Sequence, residues 1–216
     1  HILTDEWTWM KGATALNNSG TFGTKGVEAA SNNPPSRLSY TKWKGKDGNF
    51  YVFAGGDNTY SRNDLWRYNI NTNNWTWISG SKILNNAGTY NNHCDPQQST
   101  FPKSRIENQT VATNSSTCTE TFWSFGGFKN INVTESFYDL WLYNLTLDTW
   151  TWVSGGSNTN YAGNYGPLYI PSPTNMIGSR GGVAIWSDAT NNLWIFGGLT
   201  YDSTISALGL KNDLWK

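Results

Sequence analysis

The chain has few of the residues from which most active sites are built. Among 216 residues there are only two histidines and two cysteines, and charged residues make up 14%, well below the usual quarter or so. Basic and acidic residues balance at 15 each, and no long run of either sign occurs. This balance gives no electrostatic argument for nucleic acid or for an acidic membrane surface as a partner.

Long hydrophobic runs are also missing. No stretch approaches the roughly 18 apolar residues of a membrane-spanning helix, and no signal peptide is visible. The chain begins at His1, shortly before a Trp-Thr-Trp triplet, and stops at Lys216, directly after an Asp-Leu-Trp triplet. Because both triplets recur inside the chain, we expect the sequence to be a piece of a larger protein.

The chain is rich in tryptophan, tyrosine, asparagine, threonine and glycine, and these residues recur in a fixed order. An arginine opens each unit, a glycine pair follows an aromatic-rich stretch, an Asp-Leu-Trp triplet comes next, and Trp-Thr-Trp closes the unit. A fixed period with constant internal order indicates an array of like supersecondary units. The arginines are Arg37, Arg105 and Arg180; the glycine pairs are Gly55-Gly56, Gly126-Gly127 and Gly197-Gly198; the triplets are Asp64-Leu65-Trp66, Asp139-Leu140-Trp141 and Asp213-Leu214-Trp215; the closing motifs are Trp7-Thr8-Trp9, Trp75-Thr76-Trp77 and Trp150-Thr151-Trp152.

Each complete unit predicts four short antiparallel strands joined by tight turns. Lys46-Asp47-Gly48-Asn49 is typical of a hairpin turn, and the glycine pair ends the second, buried strand because glycine enters the left-handed region freely. With a lone strand at Trp7–Met10, twelve strands are predicted. The others span 38–44, 50–54, 65–69 and 75–79 in the first unit, 105–113, 121–125, 140–144 and 150–154 in the second, and 181–187, 192–196 and 213 onward in the third.

A long segment separates each closing motif from the next arginine. Loops of this length are usually functional or disordered, but this one repeats an asparagine, a glycine and an aromatic residue, as in Asn17 to Phe22, Asn85 to Tyr90 and Asn160 to Tyr165. We therefore expect an ordered crossing between units.

The order of arginine, diglycine, Asp-Leu-Trp-x-Tyr-Asn and Trp-x-Trp resembles kelch repeats. The closest likeness is to long-repeat kelch proteins, whose units contain Asn-Asp-Leu-Trp-Lys-Tyr and Trp-Thr-Trp-Val-Ser-Gly, as in Asn212–Lys216 and Trp150–Gly155 here. The resemblance covers essentially the whole chain. It implies an all-β fold, a β-propeller of four-stranded kelch blades, normally six or seven, of which this chain supplies about three blades' worth.

The resemblance also divides the chain. Residues 1–36 would hold the last strand of a preceding blade and a crossing segment, and residues 180–216 a partial blade. Two blades, at 37–79 and 105–154, would lie between them, with crossing segments at 80–104 and 155–179.

The repeated residues predict structural roles rather than chemistry. Tryptophans at fixed points, Trp66, Trp141 and Trp215 among them, bury large areas between blade faces. The aspartates Asp64, Asp139 and Asp213 are expected to bond turn amides, and the repeated arginines to pack or to form ion pairs.

Catalysis and metal binding have little material. His93, Cys94 and Asp95 are adjacent in a loop and do not converge on one ion, and nothing matches the copper ligands of galactose oxidase, which shares the kelch propeller, or the Asp-boxes of sialidases. We therefore predict a non-enzyme without a cofactor.

The two cysteines, Cys94 and Cys118, lie in the same unit, and neither has a counterpart in the others. Two unrelated positions that each bring a cysteine favour a disulfide and an extracellular compartment; two free thiols are the alternative. The count of Asn-x-Ser/Thr sequons is no higher than chance, so position decides. Exposed acceptors for N-linked glycans are predicted at Asn114 and Asn132, with Asn144, Asn74 and Asn17 as further candidates.

These features favour a non-catalytic, secreted or cell-surface glycoprotein that binds a protein or a glycan, or assembles with further copies of itself. The alternative is a carbohydrate-active propeller enzyme whose catalytic residues lie in blades not present here; an intracellular adaptor would carry a helical domain, and no helical pattern occurs. The incomplete blades predict open strand edges, which proteins avoid. More chain, a strand from a neighbouring copy, or closure of twelve strands on themselves could cover them.

Overall fold

The computed structural model describes residues 4–107, 112–115 (backbone only), 119–202 and 204–216. Within these residues there are eleven β-strands and no helix, so the prediction of an all-β chain is confirmed. The strands form three antiparallel sheets in chain order, two of four strands and one of three.

The first sheet contains β1 (Thr41–Lys44), β2 (Phe50–Phe53), β3 (Leu65–Asn69) and β4 (Asn74–Ser79), paired in that order. Its first turn forms where it was predicted: the Gly45 amide donates to the Asn49 carbonyl at 2.9 Å, and Gly48 takes a φ of 81°. The Asp47 carboxylate accepts the Asn49 amide at 3.0 Å. A short polar side chain thus fixes the turn that sets the register of β1 and β2.

The second sheet repeats this arrangement with β5 (Ala112–Ser115), β6 (Glu120–Phe125), β7 (Leu140–Asn144) and β8 (Thr149–Ser154). The pairing of Trp141 with Trp152 matches the pairing of Trp66 with Trp77 in the first sheet, and the same irregularity precedes each tryptophan. The Asp-Leu-Trp and Trp-Thr-Trp motifs therefore face each other across the last two strands of both sheets.

The third sheet contains β9 (Ala184–Ser187), β10 (Leu193–Asp202) and β11 (Ala207–Trp215). The predicted strand was to end at the glycine pair, but β10 continues beyond it, with an irregularity in pairing between Phe196 and Gly198. Residues 199–202 pair with residues 207–210 as an extended hairpin, and Asp202 accepts the Thr204 amide at 2.9 Å in its turn. The glycine pair here acts as a bulge.

Several other predicted strands are absent or wrong in extent: the strand predicted at 105–113 is β5 at Ala112–Ser115, and the strand predicted at 181–187 starts only at Ala184. Trp7–Met10 is not a strand, because no described strand lies beside it to supply backbone partners. The predicted strand 38–44 starts only at Thr41, since Ser39 takes a left-handed φ of 53°, as Glu107 does at 55° in the next unit. Asn114, one of the predicted glycan acceptors, lies within β5 opposite Thr121.

The core lies between consecutive sheets. Phe122 of the second sheet packs with its ring centroid 4.1 Å from that of Trp43, and Trp150 lies 4.9 Å from Phe53. A smaller cluster joins the second sheet to the third through Phe125, Val183, Ile185 and Ile195. The aromatic faces of each sheet are therefore buried by its neighbour in sequence.

Candidate functional site

Each sheet contains an arginine–aspartate pair of the same geometry. In the second sheet, Arg105 donates from Nη1 and Nη2 to the two carboxylate oxygens of Asp139 at 2.8 and 2.7 Å, and from Nη1 to the Gly126 carbonyl at 2.8 Å. Both side chains are fully buried. This two-bonded fork is the strong form of an arginine–carboxylate contact. The equivalent pairs are Arg37 with Asp64 and Arg180 with Asp213.

A tryptophan and a tyrosine complete the hydrogen bonding of the carboxylate. Trp141 Nε1 donates to Asp139 Oδ2 at 2.7 Å, and the Tyr90 hydroxyl donates to the same atom at 2.6 Å. The carboxylate oxygens of these aspartates accept from the arginine that opens the unit, rather than from turn amides as predicted. We call each set the Arg–Asp–Trp cluster: Arg37, Asp64, Trp66; Arg105, Asp139, Trp141; Arg180, Asp213, Trp215.

Charge and hydrogen bonding set the protonation of the cluster. Burial alone would raise the pKa of Asp139, but the Arg105 charge and the donors around the carboxylate outweigh it and lower the pKa. Asp213 has the same balance, with Arg180, Tyr165 and Trp215 as donors. Burial raises the pKa of Tyr90, and the Asp139 charge adds to this. A carboxylate that stays ionised and has its oxygens occupied is suited to holding structure rather than to proton transfer.

The tyrosine of the cluster comes from the segment that precedes the arginine, and sequence reasoning missed its role. The ring of Tyr90 lies between two tryptophans, with centroids 5.0 Å from Trp141 and 4.9 Å from Trp152. Phe22 occupies the same place in the first sheet, 5.0 Å from Trp66 and 5.1 Å from Trp77. The repeated Asn-x-x-Gly-x-aromatic pattern was the available signal. In the third sheet Tyr165 lies 5.0 Å from Trp215.

In the first unit, the residues equivalent to the glycine pairs of the other two units lie one position earlier than predicted. The arginine Nη1 donates to the carbonyl of Ala54, Gly126 or Gly197, and these three residues have positive φ values of 58°, 62° and 67°. The pair equivalent to Gly126-Gly127 and Gly197-Gly198 is thus Ala54-Gly55, followed by Gly56. Matching by residue type concealed this, because the repeat conserves a backbone conformation and tolerates one alanine in it.

Consecutive sheets are joined by a repeated set of backbone bonds, which we call the seam. Arg105 donates its amide to the Arg62 carbonyl at 2.9 Å and accepts from the Gly55 amide at 3.0 Å. Asn85, with a left-handed φ of 52°, accepts the Ser61 amide at 2.9 Å through its side chain. The second seam repeats these contacts through Arg180, Phe137, Gly127, Asn160 and Ser136.

We call residues 4–36, 80–104 and 155–179 the crossing segments. Each of the first two covers the outer strand of the sheet that follows it. The Cys94 amide donates to the Trp152 carbonyl at 2.9 Å, and Gln97 bridges Trp150. One unit earlier, the Gly26 amide donates to the Trp77 carbonyl at 2.8 Å. The segments are therefore ordered structural elements.

The remaining candidate residues lie at the surface or outside the described residues. Cys94 is exposed, and Cys118 lies outside the described residues, so their disulfide stays a prediction. The His93 ring donates from Nε2 to the Gly155 carbonyl at 3.1 Å and packs edge-on against Trp152.

The glycosylation candidates differ in exposure. Asn132 and Asn17 are exposed, whereas Asn74 and Asn144 are half-buried at the ends of β4 and β7. The side-chain oxygen of Asn74 accepts from Lys11, and that of Asn144 accepts two turn amides. The side chain of Asn114 is outside what the structure describes. Asn132 and Asn17 are thus the more accessible acceptors.

Within the described ranges, no group of three histidine, cysteine or acidic side chains could hold a metal ion, and no helix is long and apolar enough to cross a membrane. No protein-family model and no curated protein matches the chain.

Proposed function

We propose that this chain is a segment of a kelch-type β-propeller, with each sheet a blade, and that it serves as a non-catalytic binding module or building block outside the cell. The observation that carries the proposal is the use made of the repeated charged residues. Arg105 and Asp139 are fully buried, and each hydrogen-bonds within the Arg–Asp–Trp cluster. In this proposal the charged residues of each repeat hold strands together.

The sheet arrangement supports a propeller. Each sheet packs its aromatic face on the next one, and the arginine that opens a unit joins its sheet to the preceding one through the seam. Units that contact only their neighbours and repeat one interface are the basis of radial and linear arrays.

The extracellular assignment has two supports. Asn132, in an Asn-x-Thr sequon, is exposed in the loop between β6 and β7. Cys94 is exposed on its crossing segment, so its thiol would be open to oxidation in a secretory compartment.

The test is secretion of the 216-residue chain from eukaryotic cells, followed by peptide mapping, metal analysis and a panel of glycoside and sugar-oxidation assays. We expect a glycan at Asn132 that Asn132→Gln removes, a Cys94–Cys118 bond, and no turnover. Asn58→Gln, at an exposed asparagine outside any sequon, is the matched control. Turnover that follows the chain through purification would favour the carbohydrate-active alternative, and free thiols with unmodified sequons would contradict the secreted assignment.

A further inference from the structure

The third unit departs from the repeat in the segment between its glycine pair and its Asp-Leu-Trp triplet. Residues 199–202 pair there with residues 207–210 as a hairpin. The corresponding segments of the first two units close through isolated bridges. In repeat proteins, additions of this kind gather in the loops of one face, which is often the binding face. The hairpin therefore indicates a function that the other two units do not share.

A pocket of about 170 Å³ lies between this hairpin and the third crossing segment. Thr200 Oγ1 donates to the Ser179 carbonyl at 2.7 Å, which fixes the hairpin against the crossing segment. Side chains alternate between the faces of a strand, and the register pairs Thr200 with Gly209 and Asp202 with Ala207. We call this space the hairpin pocket; its walls include Tyr161, Ser179, Thr200, Tyr201, Asp202 and Lys211.

The equivalent space in the second unit is filled by an aromatic side chain. Phe137 stands two positions before Asp139, as Lys211 stands two positions before Asp213. Phe137 is buried, with its ring centroid 4.9 Å from the Arg105 guanidinium carbon. Lys211 is half-buried and extends along the crossing segment instead, with Nζ 5.9 Å from the ring centroid of Tyr165. A lysine in place of the phenylalanine leaves the hairpin pocket open.

The walls of the hairpin pocket all belong to the third unit. On one side the seam with the second sheet is already closed, since the Asn160 side chain accepts the Ser136 amide at 2.9 Å. On the other side, the repeat joins units through backbone groups that correspond to the Gly198 amide and the Lys211 carbonyl. These are not the side chains that face the pocket, so the pocket does not depend on how the chain continues.

The polar groups of the pocket include both donors and an acceptor. Among the described residues, the Lys211 ammonium and the hydroxyls of Tyr161 and Tyr201 have no hydrogen-bond partner. The Thr204 hydroxyl donates to Asp202 Oδ1 at 2.6 Å and lowers the pKa of that carboxyl. A carboxylate has about four acceptor positions, so Asp202 is able to accept from a ligand as well.

Tyr161 supplies a fixed aromatic surface. Its ring stacks on that of Tyr138, with centroids 4.6 Å apart, and the residue is 38% exposed. A tyrosine held in this way offers contact area to a ligand at little cost in conformational entropy, and its hydroxyl adds a polar end.

We propose that the hairpin pocket binds one neutral hexopyranose unit of a glycan. Ring hydroxyls donate to Asp202 and accept from Lys211, and a C–H face of the sugar packs on Tyr161. One ammonium and one carboxylate cancel in charge, so groups that both donate and accept fit better than an anion does. The volume is below the roughly 300 Å³ of pockets for drug-sized ligands and suits a single ring. The inference rests on the proposed binding module and names its ligand class.

The first experiment titrates the 216-residue chain, labelled with ¹⁵N, with the methyl glycosides of glucose, galactose and mannose. At least one is expected to shift the amide signals of Tyr161, Thr200 and Asp202. Lys211→Met and Asp202→Asn should each weaken that binding at least about tenfold, as for a hydrogen bond to a charged group. Lys42→Met is the matched control, because Lys42 Nζ lies 5.6 Å from the Tyr40 ring centroid, outside the pocket. It should leave the affinity unchanged.

The second experiment closes the pocket by copying the second unit. Lys211→Phe should abolish glycoside binding, and thermal unfolding is measured for each variant to show that the fold is retained. No shift at these residues with any glycoside would overturn the inference, as would an equal loss in Lys42→Met. Binding of glycine or sulfate there in place of the sugars would overturn it too. These outcomes leave the proposed function standing, whereas turnover in the assays above would contradict that function, whichever sugar binds.

Discussion

The second and third sheets use the same residues in different surroundings. Asp139 is buried completely by β8, by the crossing segment and by the next unit, whereas the side chain of Asp213 is 20% exposed although its arginine, tryptophan and tyrosine are all in place. The local cluster is therefore encoded within a unit, but its burial is supplied by the neighbours. In an array of this kind, much of the stability of a unit resides at its interfaces.

The largest test of this comparison is removal of the carboxylate. Asp139→Ala leaves Arg105 charged, fully buried and unpaired, and we expect it to lower the free energy of unfolding by about 4 kcal/mol. Asp213→Ala should cost clearly less, because water reaches that site. Urea unfolding followed by tryptophan fluorescence measures both, and equal losses would contradict the idea that the closed surroundings make the difference.

A second test concerns the glycine whose carbonyl receives the arginine. A Cβ on Gly126 would lie 2.2 Å from the Arg180 carbonyl oxygen across the seam, whereas on Gly197 the nearest atom is the Lys211 oxygen at 3.1 Å. Both residues have positive φ, so alanine costs about 1 kcal/mol of backbone strain at each. We expect Gly126→Ala to lose about 3 kcal/mol, since the clash is added, and Gly197→Ala about 1 kcal/mol.

The outcome of this pair is read from the same urea curves. If Gly126→Ala is as mild as Gly197→Ala, the seam is able to open without cost, and the close approach of the two sheets is not a constraint.

A third test removes one hydroxyl. Tyr90→Phe keeps the ring between its two tryptophans but deletes the donor to Asp139, and we expect a loss of about 1.5 kcal/mol, typical of a hydrogen bond to a charged group. Phe22 shows that the ring alone fits this place. Tyr165→Phe is the counterpart at the exposed cluster and should cost less. Thermal unfolding of the parent chain and the two variants measures both losses of stability. An unchanged stability in Tyr90→Phe would mean that the hydroxyl is dispensable.

The smallest effect is on acid stability. Burial would raise the pKa of Asp213, but hydrogen bonds from Arg180, Tyr165 and Trp215 outweigh this effect. The pKa of Asp213 in the folded chain is therefore lower than its ordinary value near 4. This contribution to stability is present above about pH 4 and is lost as the pH falls toward the folded-state pKa. Asp213→Asn should flatten the decline below pH 4 by at most about 1.4 kcal/mol per pH unit.

The control for this measurement is Asn212→Ala, at the adjacent exposed residue. It should keep the decline of the parent chain. An unchanged decline in Asp213→Asn would show that other carboxylates account for the acid sensitivity.

The sequence was most informative where the chemistry is local. The turn at Asp47-Gly48 and the facing tryptophan motifs depend on residues close in the chain, and the strands that they join are present, whereas the strand predicted at 105–113 lies at Ala112–Ser115. Predictions failed where a distant partner decides. Trp7–Met10 has the composition of a strand but no described strand beside it, and the hairpin of β10 and β11 extends because residues 199–202 pair with residues 207–210.

The candidate site was predicted in outline only. The arginine and the aspartate were identified as repeated residues, but their contact joins positions 27 to 34 residues apart, which spacing alone does not reveal. The tyrosine was visible only as part of a recurring loop motif. The displacement of the first glycine pair by one residue was hidden because a left-handed alanine at position 54 has no signature in sequence.

The crossing segments give the chain an overlapping construction, in which the polypeptide of one repeat fastens the outside of the following one. A protease cut near Cys94 would therefore loosen the cover on the outer edge of β8, one repeat further on, while β8 stays paired with β7. During synthesis on the ribosome, the crossing segment is made before the fourth strand that it covers. The outer edge of that strand can therefore be covered as soon as the strand forms.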